Sequence, residues 1–175
     1  EDLLRLGFGS LCLIDSDRPT VPPAACAEAV EVLSQTEDVV VLGPSDDGGY
    51  YLIGLKKLHR ALFSGITWST ERVLQETVQR ARELNLKVHL LPIWYDVDDR
   101  ATLTRLCREF FERESTGAGY AAPATRAYPE GLLKKEGRRR LWPALEPEVS
   151  GTGPANWSAL AFRGELAGAV PPSLR

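Results

Sequence analysis

The sequence contains no methionine and few residues of the types that bind metals through sulfur or imidazole, with three cysteines and two histidines among 175 residues. Cys12, Cys26 and Cys107 are odd in number, far apart in sequence, and form neither a C-x-x-C pair nor a metal-type spacing with His59 or His89. This argues against a disulfide framework and against a cysteine–histidine metal site. A reduced, cytoplasmic setting is therefore expected.

The chain also lacks long apolar runs and an excess of charge of one sign. No run approaches the roughly 18 to 20 apolar residues of a membrane span, and the N-terminus lacks the pattern of a signal peptide. The net charge is −3 with both signs interspersed, which gives no basic field for nucleic acid or acidic membranes. We therefore expect no nucleic-acid partner and no membrane span. Because position 1 is not methionine, we also expect the native protein to begin further upstream.

Apolar runs and helical spacings alternate along the first two thirds of the chain. Four runs predict buried strands, namely LCLI at 11–14, DVVVLG at 38–43, YYLIGL at 50–55 and KVHLLP at 87–92. Helices are predicted from about Ala24, from Ser69 to a stop at Asn85, and from a cap at Asp98 or Asp99. This order predicts an α/β domain with a mostly parallel sheet and helices on both faces, and the first strand is expected to be fully buried and parallel.

The amino-acid composition of the sequence changes after about residue 115. The segment 115–175 is rich in glycine, proline and alanine, has no sustained period, and carries a basic cluster at 134–140. Such a composition is typical of loosely ordered chain. We therefore predict a folded domain over residues 1–114 and a loosely ordered tail over 115–175, in which the basic cluster is a solvated surface.

Two of three acidic loops contain paired carboxylates directly after a predicted strand. Asp15 and Asp17 follow the first strand, and Asp96 and Asp98 follow the last. Side chains at i and i+2 of extended backbone point to one side, so each pair can present two carboxylates together. Mg²⁺ or Mn²⁺ with oxygen ligands is the natural counter-ion for such a pair. The alternatives are an Asx-type turn ahead of Pro19 in the first loop and a helix cap in the other.

The remaining acidic loop, D-D-G-G-Y, lies between the second and third strands. Asp46, Asp47, Gly48 and Gly49 could merely reverse the chain, or the glycines could let backbone N–H groups approach a phosphate. Tyr50 and the tyrosine after it would point to opposite faces, one into the core and one onto a pocket wall. Because sheets of this class bind ligands outside the carboxyl ends of their strands, the three loops are predicted to form one site.

Four segments together resemble a family of bacterial transferases with a GT-A-like fold. These are known as glycosyltransferases or nucleotide-diphospho-sugar transferases, and as the transferase associated with radical-SAM and selenodomain proteins. The segments are LIDSDRPTVPP, VVLGPSDDGGYYLIGL, ITWSTERVLQETVQRARELNL and LLPIWYDVDD, within residues 3–114. The resemblance implies a partial fold of this kind, the carboxyl-terminal part, without the N-terminal half that carries the family's nucleotide loop.

The resemblance further implies a metal-dependent transfer from a nucleotide-activated donor to a small-molecule acceptor. In such folds an Asp after a central strand and a second Asp near the end of the domain bind Mg²⁺ or Mn²⁺ on the nucleotide's phosphates. The matching positions are Asp17, with Asp15 beside it, and Asp98, with Asp96 beside it. Arg18 departs from the family's pattern, which usually has a small residue there, and it adds positive charge beside the implied metal.

The D-D-G-G-Y loop matches the acceptor or sugar side of the family's pocket. Asp46 or Asp47 is the candidate base for the acceptor hydroxyl. The W-S-T segment of the family is present too and would border the same pocket while capping a helix. The implied substrate contacts are Gly48, Gly49, Tyr50, Trp68, Ser69 and Thr70.

Two other functions stay open on the sequence alone. One is a nucleotidyltransferase that joins a nucleoside triphosphate to a small phosphorylated acid. The other is a catalytically inactive remnant or binding module, because nothing in the chain matches the family's glycine-containing nucleotide loop. Release of pyrophosphate would mark nucleotidyl transfer, and release of a nucleoside diphosphate would mark sugar transfer.

Overall fold

The structure, a computed structural model, describes residues 2–111 and 119–137. Within these ranges helices and strands alternate for most of the chain. Helices α1 to α5 span Asp2–Arg5, Pro23–Ser34, Val73–Glu83, Arg100–Phe111 and Pro123–Glu136. Strands β1 to β4 span Leu11–Ile14, Val39–Pro44, Tyr50–Leu55 and Lys87–Leu90. A short 3-10 helix at Arg60–Phe63 follows β3.

The four strands form one sheet in the order β1-β3-β2-β4. Strand β3 pairs antiparallel with both β1 and β2, whereas β4 pairs parallel with β2. Three strands, β1, β2 and β4, therefore run in one direction and β3 alone runs against them. The sheet is therefore mixed, with the β2–β4 pairing parallel and the other two pairings antiparallel. The carboxyl ends of β1, β2 and β4 lie along the same edge of the sheet. The three acidic loops leave from these strand ends, and we call this edge the acidic edge.

The α/β class and the helices on both faces are confirmed, but the expectation of a fully buried, parallel β1 is wrong. In the described part of the chain β1 lies at the end of the sheet and pairs antiparallel with β3. Its residues Cys12, Leu13 and Ile14 are exposed. A short apolar run indicates a strand but carries no information about which neighbours cover it, so the burial could not be read from LCLI alone.

Two apolar layers pack against opposite faces of the sheet. Because successive side chains of a strand alternate between faces, Val39 and Val41 of β2 point to one face and Val40 and Leu42 to the other. The first face packs against α2, and the second packs against α3 and the 3-10 helix. The helical residues that are buried in these layers are Ala25, Ala29, Leu33, Leu62, Val78 and Ala81.

Helix boundaries follow local signals with one exception. Helix α2 begins at Pro23, whose fixed φ and missing N–H suit a first helical position. Helix α3 ends at Glu83, and Asn85 adopts a left-handed φ of 55°, as predicted for a stop. The predicted start at Ser69 is wrong, because Ser69 also adopts a left-handed φ of 61° and α3 begins four residues later at Val73.

Asp99 caps helix α4, as predicted for one of the two adjacent acids. The Thr102 backbone N–H donates to Asp99 Oδ1 at 2.8 Å, and the Thr102 hydroxyl lies 2.9 Å from the same atom. These hydrogen bonds, with the backbone bond the larger contributor, lower the pKa of Asp99 below its ordinary value. The cap therefore stabilises the fold in the ionised form of the carboxyl.

The stabilisation from this cap is expected to depend on pH. A carboxyl whose pKa is lowered in the folded state contributes stability above its unfolded pKa of about 3.9 and loses it as the pH falls through the folded pKa. Asp99→Ala should therefore lower the melting temperature at pH 7, and the difference from wild type should shrink below pH 3.5. Thermal unfolding followed by circular dichroism at pH 7 and below pH 3.5 measures this difference in melting temperature. A difference that grows on acidification would contradict the prediction. Asp99→Asn, which keeps a capping side chain, is the matched control.

Helix α5 lies in the segment predicted to be a loosely ordered tail, in the part of that segment that the structure describes. Residues 115–118 and 138–175 of the tail, which include 138–140 of the basic cluster, lie outside the described residues, so the domain division stays a prediction. Within residues 2–111 and 119–137, no helix combines the length and the apolar character that crossing a membrane requires.

Candidate functional site

Backbone hydrogen bonds join the three acidic loops to one another. The Val97 N–H donates to the carbonyl oxygen of Asp17 at 3.0 Å, which ties the loop after β1 to the loop after β4. The Asp46 N–H donates to the carbonyl oxygen of Trp94 at 3.0 Å, and Ser45 forms a parallel bridge with the same residue. The loops that the sequence predicts at one edge of the sheet therefore lie against each other.

Arg18 lies at the centre of this edge, surrounded by side-chain oxygens from all three loops. Its Nη1 donates to the carboxylates of Asp15 and Asp17, the latter at 2.7 Å. Its Nη2 donates to Ser45 Oγ at 3.0 Å and to Asp96 Oδ2 at 3.2 Å. The Arg18 side chain is only 6% exposed, so the guanidinium is shielded from solvent while it makes these charge-assisted contacts.

One donor of this guanidinium is left unsatisfied. Among the described residues, the Nε of Arg18 is the buried side-chain nitrogen or oxygen atom without a hydrogen-bond partner. A buried unpaired donor costs about 1–3 kcal/mol, and hydrogen bonds to charged groups contribute about 1.5–3 kcal/mol each. The several contacts of the two terminal nitrogens therefore outweigh the loss at Nε and hold the side chain in place.

Burial and like charges perturb the carboxylates of this cluster. Burial raises the pKa of Asp15 to about 6, although the hydrogen bond and charge of Arg18 oppose the shift. Burial also raises the pKa of Asp96, where the negative charges of Asp47 and Asp98 add to the effect and Arg18 opposes it. The site thus holds more negative charge than Arg18 alone neutralises.

The implied divalent cation does not fit the carboxylates while Arg18 keeps its contacts. Three of the four predicted ligands, Asp15, Asp17 and Asp96, are bound to its guanidinium. The fourth, Asp98, is exposed, and its negative charge acts on Asp96. In the described part of the chain no group of three histidine, cysteine or acidic residues is arranged to hold a metal ion. The Mg²⁺ or Mn²⁺ site stays a prediction.

The D-D-G-G-Y loop is organised as a tight chain reversal. The Ser45 N–H donates to the Gly49 carbonyl at 3.0 Å, and the Gly48 N–H donates to the Ser45 carbonyl at 3.2 Å. The Gly49 N–H donates to Asp47 Oδ1 at 2.9 Å. Both glycine N–H groups are therefore engaged within the loop, which agrees with the turn interpretation rather than with a phosphate nest in this conformation.

The two acids of this loop differ in their fitness as a base. Burial raises the pKa of Asp46, with the charge of Asp47 adding to it and Arg105 opposing it. For Asp47 burial acts in the same direction, but hydrogen bonds from Gly49 and Ser45 outweigh it and lower the pKa. A carboxylate with a raised pKa accepts a proton more readily, so Asp46 is the better candidate of the two.

A second arginine positions Asp46. Arg105 Nη1 of helix α4 donates to Asp46 Oδ2 at 3.3 Å, and its guanidinium carbon lies 3.7 Å from the ring centroid of Tyr95. Tyr95, in the loop after β4, is buried, and its hydroxyl lies 3.4 Å from Thr20 Oγ1. This cation–π contact orients the arginine, and through it the Asp46 carboxylate, at the site.

Tyr50 and Tyr51 point to opposite faces, as predicted, and Tyr51 is the one that enters the core, while a role for Tyr50 in a pocket wall stays a prediction. Tyr51 is buried in the α2-side core and its hydroxyl donates to the Pro92 carbonyl at 3.0 Å. Tyr50 is partly buried against the opposite, α3-side core. Both rings are used in packing, because the strand that carries them is covered on both faces.

The W-S-T segment adjoins the D-D-G-G-Y loop. Trp68 is half exposed, and the hydroxyl of Thr70 bonds only to nearby backbone. Ser69 does not cap a helix, since the first turn of α3 is bonded elsewhere. The Leu74 N–H donates to the Gly48 carbonyl at 2.9 Å, which places this segment directly beside the loop. A role for these three residues in substrate binding stays a prediction.

Sequence reasoning missed the arginines that organise the site. In the sequence Arg18 stands out only as added charge beside the implied metal, and no pattern singles out Ser45 or Arg105. Their one signal is indirect, because clustered carboxylates require a cation and the nearest basic residue in the first acidic loop is Arg18. No spacing rule connects Arg105 on α4 to Asp46, which lies 59 residues earlier.

Comparisons with known proteins agree with this architecture. Residues 1–70 match the family model DUF2064, which is described as an uncharacterised protein conserved in bacteria. A solved structure from Desulfovibrio desulfuricans G20, provisionally assigned as a nucleotide-diphospho-sugar transferase, is similar with 29% sequence identity and a TM-score of 0.59. No curated protein matches the chain significantly.

The similarity to the solved structure is partial in length. It covers 77% of this chain and 57% of the other, so the chain spans less than two thirds of the length of that relative. The radical-SAM association and the assignment to a carboxyl-terminal part are not addressed by these comparisons and stay predictions. What the similarity does give is the architecture: the chain has an α/β fold of the nucleotide-diphospho-sugar transferase type.

Proposed function

We propose that this chain belongs to a transferase that moves a sugar from a nucleotide-diphospho donor to the hydroxyl of a small-molecule acceptor. The observation that carries the proposal is the similarity to the solved transferase-like structure, with 29% identity over 77% of the chain. Because the chain spans only part of that relative, the activity is proposed for the whole protein.

The geometry of the acidic edge supports this proposal. In sheets of this class, ligands bind outside the carboxyl ends of the strands. Three loops that leave such ends are joined here by hydrogen bonds between Asp17 and Val97 and between Asp46 and Trp94. A site that needs several polar groups from distant parts of the sequence is therefore assembled where the fold type binds its ligands.

In the proposed reaction Asp46 acts as the general base. The acceptor oxygen forms a bond to the anomeric carbon, the bond from that carbon to the diphosphate oxygen breaks, and the acceptor proton passes to the Asp46 carboxylate. The nucleoside diphosphate leaves with the electron pair of the broken bond. Arg105 holds the carboxylate at 3.3 Å and contributes positive charge beside it, while burial keeps the pKa of Asp46 raised.

Asp46→Asn is expected to lower kcat of the whole protein about a hundredfold, the lower end of the usual contribution of a general base. Asp47→Asn is the matched control, because Asp47 is an adjacent carboxylate of the same loop whose pKa is lowered rather than raised. It should lower kcat by less. Donor consumption is measured as nucleoside diphosphate released from a panel of nucleotide-diphospho-sugars, with chromatography of the products.

The products distinguish the proposal from its alternatives. Release of a nucleoside diphosphate with an intact, transferred sugar supports sugar transfer. Release of pyrophosphate from a nucleoside triphosphate would replace the proposal with nucleotidyl transfer. A protein that neither consumes any donor nor gains thermal stability from any nucleotide would instead be a binding module or inactive remnant. An equal loss of kcat in Asp46→Asn and Asp47→Asn would contradict the assignment of Asp46 as the general base, but it would not contradict sugar transfer.

A further inference from the structure

Arg18 occupies the position that a counter-cation would take among the carboxylates of the acidic edge. Its two terminal nitrogens reach Asp15, Asp17 and Asp96, which come from two different loops. Its side chain is 6% exposed, compared with 44% for Asp17. A surface arginine that merely screened the cluster would lie in solvent, whereas this one is enclosed by the groups it neutralises.

The contacts also occupy carboxylate oxygens that a metal ion would need. Mg²⁺ requires near-octahedral geometry, with oxygens at about 2.0–2.1 Å, and Mn²⁺ likewise favours oxygen ligands. Here one oxygen each of Asp17 and Asp96 lies 2.7 Å and 3.2 Å from the guanidinium nitrogens. A divalent ion that took the same oxygens would have to displace a buried, fully charged guanidinium or share ligands with it against mutual repulsion.

We propose that Arg18 is the resident cation of this cluster, so that the wild-type site does not take Mg²⁺ or Mn²⁺ at Asp15, Asp17 and Asp96, and removal of the Arg18 side chain creates a divalent-cation site there. The inference concerns the cation of the cluster and does not depend on which group the protein transfers. It makes Arg18 the residue that decides metal dependence, through charge and occupancy rather than through contact with substrate.

The residual charge of the cluster makes the effect large. Asp47 lies close enough to Arg18 for the guanidinium to affect its ionisation, and Asp47 in turn affects Asp96. Removing the single cation therefore leaves several neighbouring carboxylates to repel one another. The variant should be less stable than wild type in a metal-free buffer, and a divalent ion should restore its stability by taking the vacated position.

The test compares Mn²⁺ binding and thermal unfolding in the wild-type chain and in Arg18→Ala. Titration calorimetry with MnCl₂ should give saturable binding of one ion per chain in the variant, at least about tenfold tighter than in wild type, because the carboxylates are then free to act as ligands. In EDTA the variant should melt below wild type. Millimolar MnCl₂ should raise the melting temperature of the variant and leave that of wild type unchanged.

Three further variants serve as controls for this test. Arg18→Gln retains most of the side-chain volume without the charge and serves if Arg18→Ala does not fold. Arg105→Ala removes another arginine bound to an acidic loop and should gain no Mn²⁺ site. Adding Asp96→Asn to Arg18→Ala should weaken the new binding, which locates it. Wild type that binds Mn²⁺ as tightly as the Arg18 variants, or folded Arg18 variants that gain no binding, would overturn the proposal.

Discussion

Gly48→Ala is expected to lower the free energy of unfolding by about 3 kcal/mol, because it combines backbone strain with a steric clash. Gly48 adopts a φ of 91°, a conformation that residues with a Cβ rarely adopt. A Cβ at this position would lie 2.2 Å from the carbonyl oxygen of Glu71, which is a backbone atom and cannot rotate away. The Gly48 carbonyl also accepts the Leu74 N–H at the start of α3, so a shift of the loop breaks that bond as well.

Gly49→Ala is the matched control for this prediction. Gly49 is the next residue of the same loop, and a Cβ there would meet first the Asp47 carboxylate oxygen at 3.2 Å, which belongs to a side chain that can move. Its cost should be below about 1 kcal/mol, in the range of ordinary surface changes. Urea unfolding of the two variants measures both values. Equal losses of stability in Gly48→Ala and Gly49→Ala would mean that the close contact with Glu71 does not determine the cost of a side chain at position 48.

The direction of the strands explains why the site was easier to predict than the sheet. Each acidic loop was recognised from a local signal, a short apolar run followed by Asp residues. Which strands pair is a long-range property, and β3 enters between β1 and β2 without any local mark of its position. The placement of the three loops together does not depend on this pairing, because β3 is the strand that runs against the others and its reversal leaves the carboxyl ends of β1, β2 and β4 at one edge.

The chemistry of the site was less predictable than its place. Spacing shows that Asp15 and Asp17 can face one way, but it does not show what neutralises them. A metal ion and an arginine satisfy the same electrostatic requirement, and only the fold shows that Arg18 turns back onto the carboxylates beside it. The contact between Arg105 of α4 and Asp46 could not be predicted for the same reason, because helix spacing relates residues within α4 and not residues across the site.

The backbone freedom of the D-D-G-G loop has a structural use that its sequence does not reveal. Glycine pairs are typical both of phosphate nests and of tight turns. Here Gly48 lets the loop pass close to the chain before α3, and this places Asp46 and Asp47 at the site with different surroundings. Asp47 accepts the Gly49 N–H, whereas Asp46 meets Arg105. The loop thus converts two identical side chains into one weak and one stronger base.

Tyr51→Ala is expected to lower the free energy of unfolding by about 4 kcal/mol, the usual cost of deleting a buried aromatic ring. Tyr51 is 1% exposed, and its hydroxyl bonds to Pro92 at the start of the segment that leads to Asp96. Gly43 of β2 lies beneath this ring, and a Cβ there would come within 2.5 Å of Tyr51 Cζ. Gly43→Ala alone should therefore cost about 2 kcal/mol through overpacking.

The effects of Tyr51→Ala and Gly43→Ala on stability are expected to be strongly non-additive, because the Tyr51 ring occupies the space that a side chain at position 43 would need. Once Tyr51→Ala has removed the ring, the methyl group of Gly43→Ala has space, and the double variant should lose about 2 kcal/mol less than the sum of the single variants. Gly9→Ala, whose Cβ would meet no atom within 4 Å, is the control for introducing an alanine and should change stability little. Urea unfolding of the four proteins of the cycle gives the coupling energy. Additive losses would show that β2 and the Tyr51 ring do not constrain each other.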